Sequence, residues 1–206
     1  GMVRSLSVRK SSLWTHEWSR DGTKLLLGAS SKSLVLDTTS NKFTRLWTAK
    51  SDVFAVQFDS TEKLAFVGSR DGKIRTHDLR GDTTQKPEAL PMNHNMPITC
   101  LKVLKDDNYL LAESMDGVIQ TWDRRVQRPV QVFHGLRNEA TLLRFQVDDK
   151  ESILAAGDHC GFINIWNVRS GNFLNSFGPF SQPVRNVACL DYQARALEDC
   201  DLSCIV

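Results

Sequence analysis

Two short groups of polar residues have side chains that could support chemistry. Asp158-His159-Cys160 offers metal donors, but no second ligand pair follows at zinc-finger spacing, which favours a structural turn. His16-Glu17 lacks the H-E-x-x-H spacing of a zinc protease and is interpreted as a surface pair on a strand. No nucleophile stands at a recognisable spacing from a base. The sequence therefore predicts no metal site, no cofactor and no enzyme activity.

The composition favours a globular protein whose partners are proteins. The chain has 206 residues, 41% of them hydrophobic, and a formal net charge of only +2. This near-neutral balance does not predict nucleic-acid binding. The basic group Arg124, Arg125 and Arg128 has no interleaved aromatic residues and is interpreted as a solvated turn. No apolar run approaches the ~20 residues that a membrane-spanning helix needs.

The N-terminal segment and the cysteines predict an intracellular protein. Basic residues near the start are not followed by an apolar stretch of the kind that secretory signals contain. The five cysteines form no regular disulfide framework, which suits a reducing compartment. We expect the protein in the nucleus, the cytoplasm or both.

An internal repeat organises the chain. Segments 65–80, 110–125 and 154–169 align without a gap, and their glycines Gly72, Gly117 and Gly161 lie 45 and 44 residues apart. This period is typical of a β-propeller blade. A weaker copy, without the Asp-Gly turn, covers residues 25–37. The repeat predicts four blades.

Each repeat has the pattern of short antiparallel strands. Apolar, β-branched runs are bounded by turn residues, and Asp-Gly supplies the positive φ of a tight hairpin. First strands are predicted at Leu13–Ser19, Val53–Asp59, Ile98–Leu104 and Thr141–Val147. Outer strands are predicted at Phe43–Thr48, Arg128–Phe133 and Asn172–Phe177. In the second blade the outer strand is obscured by Gly81–Pro91, a polar stretch interpreted as a loop insertion.

The third repeat carries the residues of a WD repeat. Ser114-x-Asp116-Gly117 is followed by Trp122-Asp123, and His94 lies four residues before Ile98. Together they resemble the WD-repeat family, which implies a non-catalytic β-propeller that holds other macromolecules. The resemblance implies a structural hydrogen-bonded chain formed by His94, Ser114, Asp116 and Trp122. The neighbouring repeats keep only part of this pattern.

A narrower resemblance lies where the third strands end. All three repeats end in arginine, in His77-Asp78-Leu79-Arg80, Trp122-Asp123-Arg124-Arg125 and Trp166-Asn167-Val168-Arg169. This is similar to the box of WD-repeat substrate receptors of the cullin-4 ubiquitin ligase. Over roughly residues 13–191 the chain most resembles the cullin-4-associated factor 4 family.

That resemblance implies a function and a contact surface. The chain would bridge the ligase adaptor, damaged-DNA-binding protein 1, to a substrate in protein ubiquitination. The residues implied to contact the adaptor are Arg80, Asp123, Arg125 and Arg169. Alternatively, each arginine pairs with the aspartate or asparagine two residues earlier, or only solvates the turn. The alternative function is a general WD-repeat protein-interaction scaffold in an unrelated complex.

The repeat count predicts an incomplete ring. We expect propeller blades over 13–191, with approximate limits 13–48, 53–94, 98–135, 141–178 and a partial fifth at 183–191, and a divergent tail at 192–206. A seven-bladed ring would need about 300 residues. Open blade edges predict marginal stability or self-association.

Overall fold

The computed structural model describes residues 11–87, 89–91 and 94–188, and within them the chain forms β-strands and no helix. The strands are β1 (Leu13–Trp18), β2 (Lys24–Ala29), β3 (Lys32–Asp37), β4 (Lys42–Leu46), β5 (Val53–Phe58), β6 (Leu64–Ser69), β7 (Ile74–Asp78), β8 (Ile98–Val103), β9 (Tyr109–Ser114), β10 (Ile119–Asp123), β11 (Arg128–Phe133), β12 (Phe145–Val147), β13 (Ile153–Gly157), β14 (Ile163–Asn167) and β15 (Phe173–Phe177).

The strands form four antiparallel sheets, one for each repeat. Blades 1, 3 and 4 contain β1–β4, β8–β11 and β12–β15 in chain order, and blade 2 contains β5–β7. The hydrophobic clusters of the described residues join blades 1 and 2, blades 2 and 3, and blades 3 and 4, and none joins blade 4 to blade 1, so this segment does not close a ring. The predicted all-β propeller with four blades and an incomplete ring is confirmed.

The core lies between the blades, because each second strand is buried on both sides. One cluster joins blades 1 and 2 around Leu26 and Val67, one joins blades 2 and 3 around Phe66 and Trp122, and one joins blades 3 and 4 around Trp166. Burial of each large apolar side chain contributes roughly 1.5–3 kcal/mol. The nearly continuous apolar runs of the second strands follow from this stacking.

The insertion in blade 2 connects the edges of two blades. Residues 81–87 and 89–91, the described part of this insertion, contain no strand, and Ala89 forms an isolated antiparallel bridge to Arg75 of β7. Before that, the carbonyl of Thr83 accepts a 3.0 Å hydrogen bond from the amide of Trp47, just beyond β4. The loop therefore satisfies backbone groups of blade 1 as well as blade 2.

The first strand of blade 4 is shorter than predicted. We expected strand structure over Thr141–Val147, but only β12 forms. In the other blades, the segment that follows the blade along the chain packs against a glycine of its second strand. In blade 2, for example, a Cβ on Gly68 would lie 2.6 Å from Ile98 at the start of β8. The equivalent position in blade 3 is Glu113, which lies near the Phe145 amide. Strand pairing in blade 4 begins only at Phe145.

The segment after blade 4 begins along its open side. Val184 is buried against Gly157, and its amide donates a 3.0 Å hydrogen bond to the carbonyl of Asp158. Residues 183–188 form no strand. Residues 189–191 of the expected fifth blade and the expected tail lie outside the described residues.

Candidate adaptor-binding face

One face of the propeller carries the ends of the third strands. Each strand pairs antiparallel with the second, so these ends lie beside the turns that join first and second strands. The pairs Leu64–Asp78, Tyr109–Asp123 and Ile153–Asn167 fix this arrangement. We call this the arginine face; it comprises turns 78–81, 123–127 and 167–171 and turns 19–23, 59–63, 104–108 and 148–152.

Arg80 forms a two-point ion pair with Asp78. Its Nε and one terminal nitrogen donate to the carboxylate at 2.9 and 2.6 Å. These hydrogen bonds hold the pKa of Asp78 at about 2. The guanidinium side chain is still 64% exposed.

Arg125 is held in the same way and has an additional partner. Its Nε and a terminal nitrogen donate to Asp123 at 3.1 and 2.7 Å, and that terminal nitrogen also lies 3.1 Å from the Tyr109 hydroxyl. Asp123 is buried, whereas the Arg125 side chain is 57% exposed. Three of the five N–H groups remain free of the carboxylate, so the pair fixes the direction of the guanidinium and leaves an edge for a partner.

Arg169 differs because an amide takes the place of the aspartate. Asn167 accepts a 3.1 Å hydrogen bond from the backbone amide of Arg169. Among residues 11–87, 89–91 and 94–188, the exposed guanidinium has no hydrogen-bond or ion-pair partner. The alternative of pairing two residues back thus describes the contacts of Arg80 and Arg125 and not those of the Arg169 side chain.

The opposite face carries the expected structural network of blade 3, formed in part. His94 Nδ1 lies 3.1 Å from the Ser114 hydroxyl, which donates to Asp116. Burial lowers the pKa of His94. The Trp122 indole N–H has no partner among the described residues, although its ring packs between blades 2 and 3. The hydrogen bonds therefore join His94, Ser114 and Asp116, and among the described residues none joins Trp122 to them.

Blade 2 builds the same network from a residue that the sequence analysis missed. Arg75 is buried on β7 and donates to Asp71 at 3.2 and 2.5 Å and to Ser69 at 3.4 Å. The guanidinium thus takes the place of the histidine in blade 3. The signal that could have revealed it is an arginine near the start of a third strand, four residues after the turn aspartate.

The residues first considered for metal binding serve the turn of blade 4. The Asp158 carboxylate accepts hydrogen bonds from the Phe162 amide at 2.8 Å and from the Asn164 side chain at 3.3 Å. His159 lies 3.3 Å from Glu139. Among the described residues no group of three or more histidines, cysteines or acids could hold a metal ion.

Glycines let the hairpin turns lie close to the next blade. Gly72 and Gly117 have φ of +74° and +80°. A Cβ on Gly117 would lie 2.7 Å from the Leu136 carbonyl oxygen, so any side chain there would collide with the loop that enters blade 4. The Asp-Gly turns therefore connect blades as well as strands.

Carboxylates on the arginine face connect each blade to the preceding one. Glu62, Asp107 and Glu151 occupy the same left-handed position in their turns, with φ of 56°, 56° and 55°. They accept hydrogen bonds from the amides of Arg20, Ser60 and Lys105 at 2.6, 2.9 and 2.6 Å. Blade 1 has Gly22 at this position. The sequence analysis did not find these three acids.

Two further acids lie between blades with raised pKa values. Glu17 of β1 accepts a 3.0 Å hydrogen bond from the Phe58 amide, and burial raises its pKa to about 7. Glu113 is fully buried, and burial raises its pKa to about 8 although the Phe145 amide and Arg144 partly counter the effect. Neither Glu113 carboxylate oxygen reaches hydrogen-bond geometry with a described residue.

The repeated blades, the Ser–Asp–His turn network and the strand-end arginines define a WD-repeat β-propeller. The chain matches the family described as "DDB1- and CUL4-associated factor 4 beta-propeller domain" over residues 1–195. It therefore belongs to this family.

Two human relatives have sequences similar to this chain. DDB1- and CUL4-associated factor 4-like protein 2 is 31% identical over 70% of the chain and 37% of its own length. DDB1- and CUL4-associated factor 4 is 28% identical over 92% of the chain and 39% of its own length. The chain thus spans less than two fifths of either relative.

A solved structure supports the fold alone. The crystal structure of the computationally designed Ika8 protein matches 87% of this chain and 53% of its own chain, with a TM-score of 0.68 and 18% identity. Among the described residues, no helix is long and apolar enough to cross a membrane.

Proposed function

We propose that this chain is a non-catalytic substrate-receptor subunit of a cullin-4 RING E3 ubiquitin ligase that bridges the adaptor DDB1 to a substrate. The observation that carries the proposal is the arginine at the same turn of three successive blades, all on one face. Two of these guanidinium side chains are held by aspartates and remain more than half exposed. Family membership and the names of the relatives support the same proposal.

The proposed role follows from the chemistry of the arginine face. A guanidinium whose direction is already fixed loses little further freedom when it meets a carboxylate or carbonyl on the adaptor. Asp123 is then a positioning residue for Arg125. The receptor supplies proximity, since it holds a substrate lysine within reach of the conjugating enzyme and does no bond-making itself.

Binding of purified DDB1 to the purified chain tests the proposal. We expect Arg80→Ala, Arg125→Ala and Arg169→Ala each to weaken binding about tenfold, a loss of about 1.4 kcal/mol. Arg137→Ala is the matched control, because Arg137 is also exposed but lies on the opposite face, beside the turn that contains His159. Undiminished binding by all three variants would contradict the arginine assignment.

A general protein-interaction scaffold is the second candidate. The two-point pairing of Arg80 and Arg125 with their own aspartates favours it, since such pairs also stabilise a solvated turn. The two functions differ in one result. A folded wild-type chain that does not bind DDB1 would favour the scaffold.

We also propose self-association through the open side of blade 4. Ile153, Phe177 and Phe180 are 39%, 39% and 41% exposed there, and apolar surface of this kind favours contact with another protein. Sedimentation velocity should show a larger species that Phe177→Ser reduces. A concentration-independent monomer would contradict this proposal.

The proposed location is the nucleus, the cytoplasm or both. The support is the sequence, in which the five cysteines form no regular disulfide framework. Fluorescence microscopy of the tagged chain tests the location, and entry into the secretory pathway would contradict it.

A further inference from the structure

A groove of about 620 Å³ lies at the outer rim of the propeller, where blade 1 meets the insertion of blade 2. Residues 45–50, at the end of β4 and in the loop after it, form most of its wall, and Thr84 of the insertion completes it. Leu46 pairs with Ser33 beside the hairpin turn of blade 1, so this end of β4 lies away from the arginine face. We call this site the Trp47 groove.

The Trp47 side chain is held at the contact between the two blades. Its ring centroid lies 5.4 Å from the guanidinium carbon of Arg75 and 6.0 Å from the ammonium of Lys86. Its backbone amide is fixed to the carbonyl of Thr83 at 3.0 Å. The ring is partly buried, and within the described part of the chain its indole N–H has no hydrogen-bond partner. An aromatic ring that is already positioned can contact a ligand at little cost in conformational entropy.

The charged side chains of the groove are all cationic. Arg45 and Lys50 line it and are exposed, and Lys86 lies beside it over the Trp47 ring. None of these three side chains has a hydrogen-bond or ion-pair partner among the described residues. The described residues that line the groove include no acid. This charge favours an anionic ligand.

The acids of the adjoining turns are engaged with partners of their own. Asp82 accepts hydrogen bonds from the amide and hydroxyl of Thr84 at 2.9 and 2.6 Å, and these hold its pKa below its usual range. Asp52 accepts a 3.1 Å hydrogen bond from the Ser31 amide and lies 3.5 Å from Arg70. The three cations of the groove therefore keep their donors for a ligand.

The surroundings of the groove favour a peptide over a nucleic acid. A nucleic acid needs a continuous basic surface along its backbone. The nearby cations Arg70 and Arg75 are instead paired with Asp52 and Asp71. The positive charge is thus confined to one short groove beside a single aromatic ring.

We propose that the Trp47 groove binds a segment of a protein partner in which acidic residues alternate with apolar ones. Its carboxylates pair with Arg45 and Lys50, and an apolar side chain lies against Trp47 and Ala49. The inference rests on the proposed function only for the role of this partner, which is a ligase substrate because the groove lies away from the arginine face.

A peptide titration tests the groove without the adaptor. The probe is acetyl-Leu-Glu-Leu-Glu-Leu-amide, added to the ¹⁵N-labelled chain, and the control is the peptide with glutamine in place of glutamate. We expect saturable shifts of the Trp47 indole N–H and of the amides of Ala49 and Lys50 with the acidic peptide only. Absent shifts, equal shifts with both peptides, or shifts confined to another surface would overturn the proposal. Inorganic phosphate is the second control, and an equal affinity for phosphate would overturn it as well.

Variants identify the cations that hold the peptide. Arg45→Gln and Lys50→Gln should each weaken the acidic peptide about tenfold. Lys42→Gln is the matched control and should change nothing, because Lys42 is also exposed on β4 but pairs with Asp37 at its other end. Circular dichroism checks that each variant is folded. Unchanged peptide binding by both groove variants would contradict the proposal.

Binding of DDB1 separates this inference from the proposed function. Arg45→Gln and Lys50→Gln should bind DDB1 as the wild type does, because both residues lie away from the arginine face. If the wild type binds DDB1 but not the acidic peptide, the groove is overturned and the proposed function stands. If it binds the peptide but not DDB1, the proposed function fails and the groove stands.

Discussion

The amide of Ser60, in the first turn of blade 2, donates a 2.9 Å hydrogen bond to the carboxylate of Asp107 in the first turn of blade 3. The Ser60 hydroxyl donates to the same carboxylate. Asp107 has a left-handed φ of 56°, which is unfavourable for a residue with a Cβ. A contact between blades therefore accompanies a strained turn conformation.

This contact predicts an unusual order of stability for two substitutions. Asp107→Ala should lower the free energy of unfolding by about 2–3 kcal/mol, because it removes charged hydrogen bonds and keeps the unfavourable φ. Asp107→Gly should cost about 1 kcal/mol less, because glycine adopts this φ freely. Urea denaturation of both variants measures the difference. Equal losses would contradict the role of the left-handed turn.

Because the Arg75–Asp71 pair is buried, removing one partner should lower the free energy of unfolding by a large amount. Asp71→Ala leaves the guanidinium, 6% exposed, without its carboxylate, and we expect a loss of about 3 kcal/mol in unfolding free energy. Asp78→Ala is the matched control, since it breaks the exposed pair with Arg80 and should cost much less. Similar losses for the two variants would argue against a buried network in blade 2.

Two tryptophans at the same repeat position differ in their hydrogen bonds, so replacing each by phenylalanine should lower the unfolding free energy by different amounts. The Trp166 indole donates a 3.0 Å hydrogen bond to the His134 carbonyl, whereas Trp122 has no such partner in the described chain. Trp166→Phe should therefore cost about 1 kcal/mol more than Trp122→Phe, since both remove a similar ring area. Thermal unfolding of the two variants tests this, and the reverse order would contradict the assignment.

The raised pKa of Glu113 predicts that the free energy of unfolding falls as the pH rises from 6.5 to 8. Its pKa is about 8 in the folded chain and near 4.5 when unfolded, so the folded state binds more protons in this window and loses stability as they leave. The slope should be at most about 1.4 kcal/mol per pH unit. Glu17 adds to it below its pKa of about 7.

His77 changes the folding stability in the opposite direction as the pH rises, so the window begins at pH 6.5. Burial lowers its pKa to about 4, so it makes stability rise with pH until the unfolded value of 6.5 is passed. Glu113→Gln should flatten the fall between pH 7 and 8 with little change in volume. An unchanged pH profile in this variant would rule out Glu113 as the source.

Much of the fold follows from local sequence. A period near 44 residues and Asp-Gly turns predict hairpins whose second strands are apolar on both sides, because only stacked blades bury such strands. The four blades and the position of each arginine at the end of a third strand are thus readable without coordinates. The length of β12 is not, because the local sequence of residues 141–147 does not mark Phe145 as the start of pairing.

The sequence by itself determined the kind of protein and the face on which its arginines lie, since both follow from repeat spacing and strand alternation. Only the tertiary structure decided which groups meet. In blade 2, Arg75 takes the place that a histidine has in blade 3, and Asp107 accepts a hydrogen bond from Ser60 of the preceding blade. Arg169 lies beside a groove and has no counter-ion among the described residues. These contacts join side chains from separate strands or blades. Their distances depend on how blades stack, which no local pattern specifies.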